Sequence, residues 1–195
     1  MKVQASRLIA TARLHLLAPD TQLAAAVLDF YTRNRSHFAA WDPPRQADFY
    51  SLAFHHDRLA AGAESFTSGR GFAYWMQAQR GDAVRIIGQM HFSSVVRGAF
   101  HNAMLGYALD GAEQGRGLMH EALSAAIDEM FGPRVMLHRL QANVRPENLR
   151  SRALLARLGF QDEGLARQYL YIDGAWQHHL MTALINPDFV APPDL

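Results

Sequence analysis

The clearest pattern of apolar and polar positions lies between residues 102 and 130. Residues 104–109 alternate in side-chain character with the period of a β-strand, and Asp110-Gly111 breaks that pattern. The segment Gln114-Gly115-Arg116-Gly117 follows. Beyond it, apolar residues recur at helical spacing, namely Met119, Ala122, Leu123, Ala126, Ile127 and Met130. The pattern therefore predicts a strand, a glycine-rich turn and a helix.

The same reasoning predicts elements along the rest of the chain. Further strands are predicted over residues 12–17, 71–79, 83–92, 134–144, 168–172 and 175–184. Further helices are predicted after Asp20, over residues 46–69, and from Pro146 to Gly159. Arg80-Gly81-Asp82 and Asp173-Gly174 are predicted as tight turns between neighbouring strands.

Length and composition predict one globular domain. The chain has 195 residues, of which 49% are hydrophobic, and we expect a single domain over residues 1–195 with 186–195 as a short tail. A net charge of +1 argues against binding to nucleic acid or to a membrane surface through bulk charge. The absence of cysteine excludes disulfides and thiolate chemistry. No signal peptide or membrane span is evident, so we expect a cytoplasmic protein. We expect it to be a monomer or a homodimer.

The glycine-rich turn is the first candidate for binding chemistry. The first N–H groups of a helix have no internal acceptor, and neighbouring glycines allow an anion to approach them closely. Such a turn suits a phosphate or pyrophosphate. The turn lacks the Gly-Lys-Ser/Thr of the nucleotide-triphosphate loop, and His120 occupies the third glycine position of the dinucleotide fingerprint. A turn that binds no ligand is the alternative.

The histidines give no metal-binding pattern. His120-Glu121 would begin the zinc motif His-Glu-x-x-His, but Ser124 stands at its fifth position. The chain has two pairs of adjacent histidines, at 55–56 and 178–179. Neighbouring side chains point apart on either a helix or a strand, so neither pair is a natural chelate. We therefore expect no metal.

Two segments resemble a known family. The segment from Gln114 to Met119 resembles the acetyl-coenzyme A pyrophosphate loop of the GNAT family of N-acetyltransferases, with Met119 where glycine or alanine is usual. The form Gln-Gly-x-Gly-Leu-Met is similar to one branch, the RimJ-type ribosomal-protein-alanine N-acetyltransferases. Asn148-x-x-Ser151 followed by Leu155-x-x-x-Gly159-Phe160 resembles the second signature of the family. The resemblance covers nearly the whole chain.

The resemblance implies a fold, a co-substrate and a set of site residues. The fold is an α/β structure with a mixed, mostly antiparallel sheet of six or seven strands and about four helices, and the co-substrate is acetyl-coenzyme A. The implied coenzyme contacts are Leu109, Gln114, Gly115, Arg116, Gly117, Leu118, Met119, Asn148, Ser151 and Leu155. The implied acceptor contacts are Asn34, Arg35, Phe38, Trp41 and Tyr107. The alternatives are that Phe38 and Trp41 only pack the helices and that Asn148 only caps one.

The resemblance also suggests catalytic roles. The backbone N–H of Leu109, or of the residue before it, would stabilise the oxyanion. Ser151 would stabilise the leaving thiolate, because the helix carries Leu154-Leu155 and no tyrosine there. Ala103 and Met104 occupy the region where many relatives carry a glutamate base, which leaves Glu163 as a weak candidate.

The lack of a strong base bears on the acceptor. An α-amino group has a pKa of about 7.7–8.0 and is partly neutral near pH 7, whereas lysine, at about 10.4, is almost wholly charged. Together with the resemblance, this favours direct attack on the thioester by a protein N-terminus, namely the N-terminal alanine of a small-subunit ribosomal protein. Two alternatives stay open: an acetyltransferase for a small amine such as a polyamine or aminoglycoside, and a non-catalytic, coenzyme A-dependent ribosome-assembly module.

Overall fold

A computed structural model describes residues 5–79 and 84–191. In this part of the chain the strands are β1 (Leu8–Ala10), β2 (Leu14–Leu17), β3 (Phe72–Ala78), β4 (Ile86–Val96), β5 (Asn102–Leu109), β6 (Arg139–Val144), β7 (Gln161–Ile172) and β8 (Ala175–Ile185). The helices are α1 (Ala24–Arg33), α2 (Arg35–Ala39), α3 (Leu52–Ser68), α4 (Leu118–Phe131) and α5 (Leu149–Arg157). Single 3-10 turns lie at Thr21–Leu23 and Gly111–Glu113.

All eight described strands form one sheet in the order β1-β2-β3-β4-β5-β6-β8-β7. Neighbouring strands are antiparallel except for β5 and β6, which are parallel. The prediction of a mixed, mostly antiparallel α/β sheet is confirmed. The described part has eight strands and five helices, against the six or seven strands and about four helices that the resemblance implies; β1 and the separate short α2 account for the difference. Elements of three and five residues are too short to show a clear period.

The sheet separates two hydrophobic layers. One face packs against α4 and α5, and the other is covered by α1, α2 and α3. The apolar stripe predicted for α4 is buried at every position: Met119, Ala122, Leu123, Ala126, Ile127 and Met130. This helix therefore anchors the glycine-rich turn to the core.

The sheet opens between its two parallel strands. β5 and β6 pair only from Asn102–Arg139 to Met104–Gln141. Beyond that point β5 continues beside β4 as far as Leu109, and β6 continues beside β8 as far as Val144. The result is a V-shaped gap at the end of the sheet where the glycine-rich turn lies.

Several predicted boundaries move. α3 begins at Leu52, since the Ser51 side chain accepts the N–H of Phe54 and caps the helix there. β6 begins at Arg139, five residues after the predicted start. The turn predicted at residues 80–82 lies outside the described residues. Among the helices that are described, none is both long and apolar enough to span a membrane.

Candidate active site

The gap contains backbone donors that point away from β4. The N–H of Asp110 donates to the carbonyl of Ile87 at 2.8 Å. Hydrogen-bonded and non-hydrogen-bonded pairs alternate in an antiparallel ladder. The next pair, Gly88–Leu109, is therefore non-hydrogen-bonded, and so is Met90–Tyr107. The N–H of Leu109 consequently points into the gap, whereas that of the preceding residue points towards β4. This geometry favours Leu109 as the oxyanion donor.

The glycine-rich turn is open to a ligand. Gly115 and Gly117 have φ angles of 75° and 74°, in the left-handed region that favours glycine. A Cβ added to Gly115 would have no heavy atom within 4 Å. The N–H of Glu121 donates to the carbonyl of Gly117 at 3.1 Å, so the N–H groups of Leu118 and Met119 lie before this bond. They have no acceptor within the helix, which is the arrangement that binds a pyrophosphate.

The polar side chains of this turn are bound to neighbouring elements. The Gln114 amide lies 3.0 Å from Nε2 of His37 on α2, and it accepts a hydrogen bond from Arg150 on α5. The Arg116 guanidinium pairs with Glu113 at 2.5 Å. These hydrogen bonds and this ion pair hold the turn in place. The side chain of Met119 is buried. Its backbone therefore remains the part of Met119 that can meet a ligand.

The start of α5 brings a serine to a tyrosine. Asn148 caps the helix, because its Oδ1 accepts the N–H of Ser151 at 3.1 Å. The Oγ of Ser151 lies 2.6 Å from Oη of Tyr107. Burial raises the pKa of Tyr107 to about 12, although its hydrogen bond with Ser151 acts in the opposite direction. The phenol is therefore protonated near pH 7. Leu155 is buried in the core.

The position of Tyr107 differs from the predicted acceptor contact. Alternate side chains of β5 face opposite sides of the sheet. Tyr107 packs against the layer that contains α4 and α5, whereas Ala108 packs under α1 and α3. We therefore assign Tyr107 to the same side as Ser151.

Two of the other predicted acceptor residues are buried. Asn34 accepts the N–H of Gly111 at 3.0 Å, and its Nδ2 donates to the carbonyl of Phe30 at 2.9 Å. It thus joins the end of α1 to the segment after β5. Phe38 packs against Phe30 and Tyr31, with ring centroids 5.3 and 6.0 Å apart. The polar character of Asn34 suggested exposure, but its amide is used inside the protein.

Of the remaining acceptor candidates, Arg35 lines a cleft, whereas Trp41 is not among the residues that line it. Arg35 stacks on Tyr50 at 4.6 Å, and Trp41 lies 5.5 Å from the guanidinium of Arg145. The cleft has a volume of about 410 Å³. It lies between the segment from α2 to α3 and the turn from β7 to β8, and the charged residues that line it are Arg35, Asp42, Arg45 and Asp173.

Glu163 is not brought to the gap. Its carboxylate pairs with Arg139 at the closed end of β6. β7 lies three strands from β5 in the sheet order. At about 4.8 Å a strand, this separates the two strands by roughly 14 Å. His91 on β4 and Asn143 on β6 lie beside the gap instead, on the face of the sheet covered by α1 and α3. Neither residue carries a local signal in the sequence.

The fold and this gap define an acetyl-coenzyme A-dependent acyltransferase. The parted parallel strands, the turn at the start of α4 and the hydroxyl pair match the expected thioester site. The chain belongs to the GNAT acetyltransferase family, since residues 13–161 match the family described as "Acetyltransferase (GNAT) domain". The protein is an N-acetyltransferase that uses acetyl-coenzyme A.

Its relatives have more specific names. The chain is 40% identical over 181 residues to the [Ribosomal protein uS5]-alanine N-acetyltransferase of Escherichia coli, covering 93% of this chain and 92% of that protein. The ribosomal-protein-S5-alanine acetyltransferase of Vibrio fischeri superposes with a TM-score of 0.90 at 33% identity, covering 95% and 100% of the chains. Mycobacterium smegmatis RimJ in complex with CoA-disulfide gives a TM-score of 0.82 at 30% identity, with 93% and 86% covered.

The first prediction tests the pyrophosphate turn. Gly117→Asp should weaken acetyl-coenzyme A binding about tenfold, or about 1.4 kcal/mol, because it places a like charge at the anion site. Calorimetry would measure the affinity. Gly98→Asp is the matched control, since Gly98 also has a positive φ, of 70°, with no atom near its Cβ position, but lies at the other end of β5. A folded Gly117→Asp protein with unchanged affinity would contradict the assignment.

Proposed function

We propose that this protein acetylates the N-terminal α-amine of a protein, namely the N-terminal alanine of a ribosomal protein of the uS5 type. The observation that carries the proposal is 40% identity over nearly the full length of an enzyme named for that reaction. Membership in an acetyltransferase family favours catalysis over a non-catalytic assembly module. We also propose that the protein is a single-domain cytoplasmic monomer or homodimer that does not bind nucleic acid or membrane directly.

The gap supports direct attack on the thioester. The acetyl carbonyl oxygen would accept the N–H of Leu109 while the amine nitrogen bonds to the carbonyl carbon. As the C–S bond breaks, the hydroxyls of Tyr107 and Ser151 would hydrogen-bond to the departing thiolate. In this proposal the amine attacks the thioester directly, and no covalent acetyl-enzyme forms.

The charges of the cleft favour a peptide over a polyamine. Its lining contains two arginines, Arg35 and Arg45, and two aspartates, Asp42 and Asp173. Asp42 pairs with Arg45. Burial raises the pKa of Asp42, although the charge of Arg45 acts against that rise. A polyamine with several positive charges would be better matched by an acidic excess.

The second prediction is a product analysis. The protein is incubated with acetyl-coenzyme A and a peptide that begins with alanine, the same peptide with a blocked α-amine, or spermidine. Mass spectrometry should show one acetyl group on the free α-nitrogen and none on the blocked peptide. Preference for spermidine, or acetylation of the blocked peptide, would replace this proposal with a small-amine or side-chain activity. Cellular N-termini compared with and without the protein would identify the natural acceptor.

A further inference from the structure

A row of three residues crosses the sheet where the gap begins. His91 on β4 pairs with Gly106 on β5. Gly106 lies two residues beyond Met104, and Asn143 lies two residues beyond Gln141, which is the partner of Met104. Because the parallel register is constant over the paired residues, Gly106 and Asn143 stand level across the gap. His91, Gly106 and Asn143 therefore form one row.

This row lies on the acceptor side of the sheet. Met90 and Phe92 belong to the core on the α4 side, so His91 between them faces the side of α1 and α3. Ala142 and Val144 also belong to that core, which places Asn143 on the same side as His91. Both side chains therefore face the region from which an acceptor approaches.

Gly106 allows the imidazole of His91 to lean over β5. A Cβ on Gly106 would lie 2.4 Å from Cε1 and 2.5 Å from Nε2 of His91. Any side chain at position 106 would displace the ring. The ring's Nδ1 lies 3.4 Å from Oε1 of Gln89, which can accept a hydrogen bond only. That contact favours hydrogen on Nδ1 and leaves Nε2, over Gly106, as an acceptor.

Asn143 offers a second unpaired acceptor. Its Nδ2 donates to Oη of Tyr169 at 2.9 Å, which orients the amide. Its Oδ1 is buried and has no hydrogen-bond partner among the residues described. A buried carbonyl oxygen without a donor is unfavourable, so the site is suited to a ligand that supplies an N–H.

We propose that His91 and Asn143 bind the attacking amine, with Nε2 and Oδ1 accepting its N–H groups and its lone pair directed at the acetyl carbon in the gap. The C–N bond forms, the C–S bond breaks, and the proton lost by nitrogen passes through Nε2 of His91 to water. The coenzyme A thiolate leaves beside Tyr107 and Ser151 and is protonated from solvent. This proposal rests on acetyl transfer and does not require a ribosomal acceptor.

The charges around His91 support this role. Burial, together with the smaller effects of the charges of Arg58 on α3 and Arg45 before α3, lowers the pKa of His91 to about 4. The imidazole is therefore neutral near pH 7, and its Nε2 can accept. The amine becomes strongly acidic once the C–N bond has formed, so a weak base is sufficient to take its proton.

Other titratable groups on this side of the sheet act on the same site. The two arginines disfavour a bound ammonium ion, whereas Asp42 offsets part of the charge of Arg45. His55 on α3 has its own pKa lowered to about 4, chiefly by burial and then by the same arginines. Beyond the gap, burial also lowers the pKa of His179 on β8. Both histidines are therefore neutral near pH 7 and add no positive charge.

The third prediction tests both residues together. His91→Ala and Asn143→Ala should each lower kcat/KM about tenfold, the rough value of one hydrogen bond made in the transition state. Acetyl-coenzyme A affinity by calorimetry should stay within about twofold, which a merely structural role would not predict. His91→Gln keeps an acceptor and should recover part of the rate. His56→Ala is the matched control, because His56 is exposed on α3.

A variant of Gly106 tests whether the position of the His91 imidazole matters for the rate. Gly106→Ala should displace the imidazole and lower the rate as His91→Ala does, and the two changes together should be less than additive. Each protein is assayed with the alanine peptide and with spermidine. If the wild-type protein acetylates spermidine alone, the ribosomal acceptor is refuted, and the loss of spermidine turnover in the His91 and Asn143 variants decides the present proposal.

Three results would overturn the proposal. One is a wild-type rate in folded His91→Ala and Asn143→Ala. Another is an equal loss of coenzyme affinity and of turnover. A wild-type protein that acetylates neither acceptor would refute the present proposal and the proposed function together.

Discussion

Tyr107→Phe and Ser151→Ala are each expected to lower kcat about a hundredfold, the low end of what a general acid contributes. The thiolate appears only as the C–S bond breaks, so its hydrogen bond acts on kcat more than on binding. The two hydroxyls are 2.6 Å apart, and one of them can donate to the other while that one donates to sulfur. Single-turnover kinetics with acetyl-coenzyme A and a peptide would measure the step.

Another tyrosine of the chain, Tyr74, provides a matched control for Tyr107→Phe. Tyr74→Phe also removes a tyrosyl hydrogen bond, from Oη to the carbonyl of Ser6 at 2.9 Å, in the core away from the gap. It should change stability but not kcat. Comparing Tyr107→Phe with Ser151→Ala identifies the residue nearer to sulfur, because that variant loses more. Wild-type kcat in both variants would show that the departing thiolate needs no hydrogen bond from this pair and that the two side chains only pack.

The pKa of Tyr107 gives this role a pH signature. Burial raises that pKa to about 12, so the phenol keeps its proton across the working range. Its deprotonation therefore cannot cause a fall in rate between pH 6 and about 10. If the rate falls with rising pH within this range, another group must cause the fall.

Local periodicity predicted the part of the site that is continuous in sequence. The stripe on α4, the alternation of β5 and the two glycines lie within 29 residues, and each follows from the spacing of apolar positions or the needs of a tight turn. The structure confirms the strand and the helix with small shifts of boundary. Such features depend on neighbours along the chain.

The rest of the site depends on strand order and register. Tyr107 and Ser151 are 44 positions apart, and their contact follows from the face of β5 that meets α5. Glu163 was chosen for its carboxylate, but β7 lies outside β8 in the sheet, so chain order did not indicate its distance from β5. Asn34 was predicted to contact the acceptor, whereas tertiary packing buries it.

The same reason explains why His91 and Asn143 were missed. Neither lies in a family signature, and a single histidine on a strand is usually structural. Two strand registers bring them to the same gap: His91 pairs with Gly106, and Met104 pairs with Gln141. The sequence supplies no local pattern for such a row.

The last prediction concerns the protonation state of the acceptor. At pH 7 about a tenth of an α-amine with a pKa of about 8 is neutral, against less than about a thousandth of a lysine side chain at about 10.4. Because the gap has no strong base, an α-amine should react at least about a hundredfold faster than a lysine in the same peptide. Mass spectrometry of time points at pH 7 would measure both rates.

The pH profiles should show how the site selects the neutral amine. For the alanine peptide, kcat/KM should rise with pH and level off near about 8, because it reports the free amine. The kcat profile reports the bound amine, whose pKa Arg45 and Arg58 should lower, so it should level off at a lower pH. Arg58→Gln should move the kcat profile back towards that of kcat/KM and leave the latter unchanged. Equal lysine and α-amine rates, or a kcat profile that levels off above pH 8, would show that the enzyme supplies a base strong enough to deprotonate the ammonium ion before attack. Delivery of a neutral amine would then not be its source of selectivity.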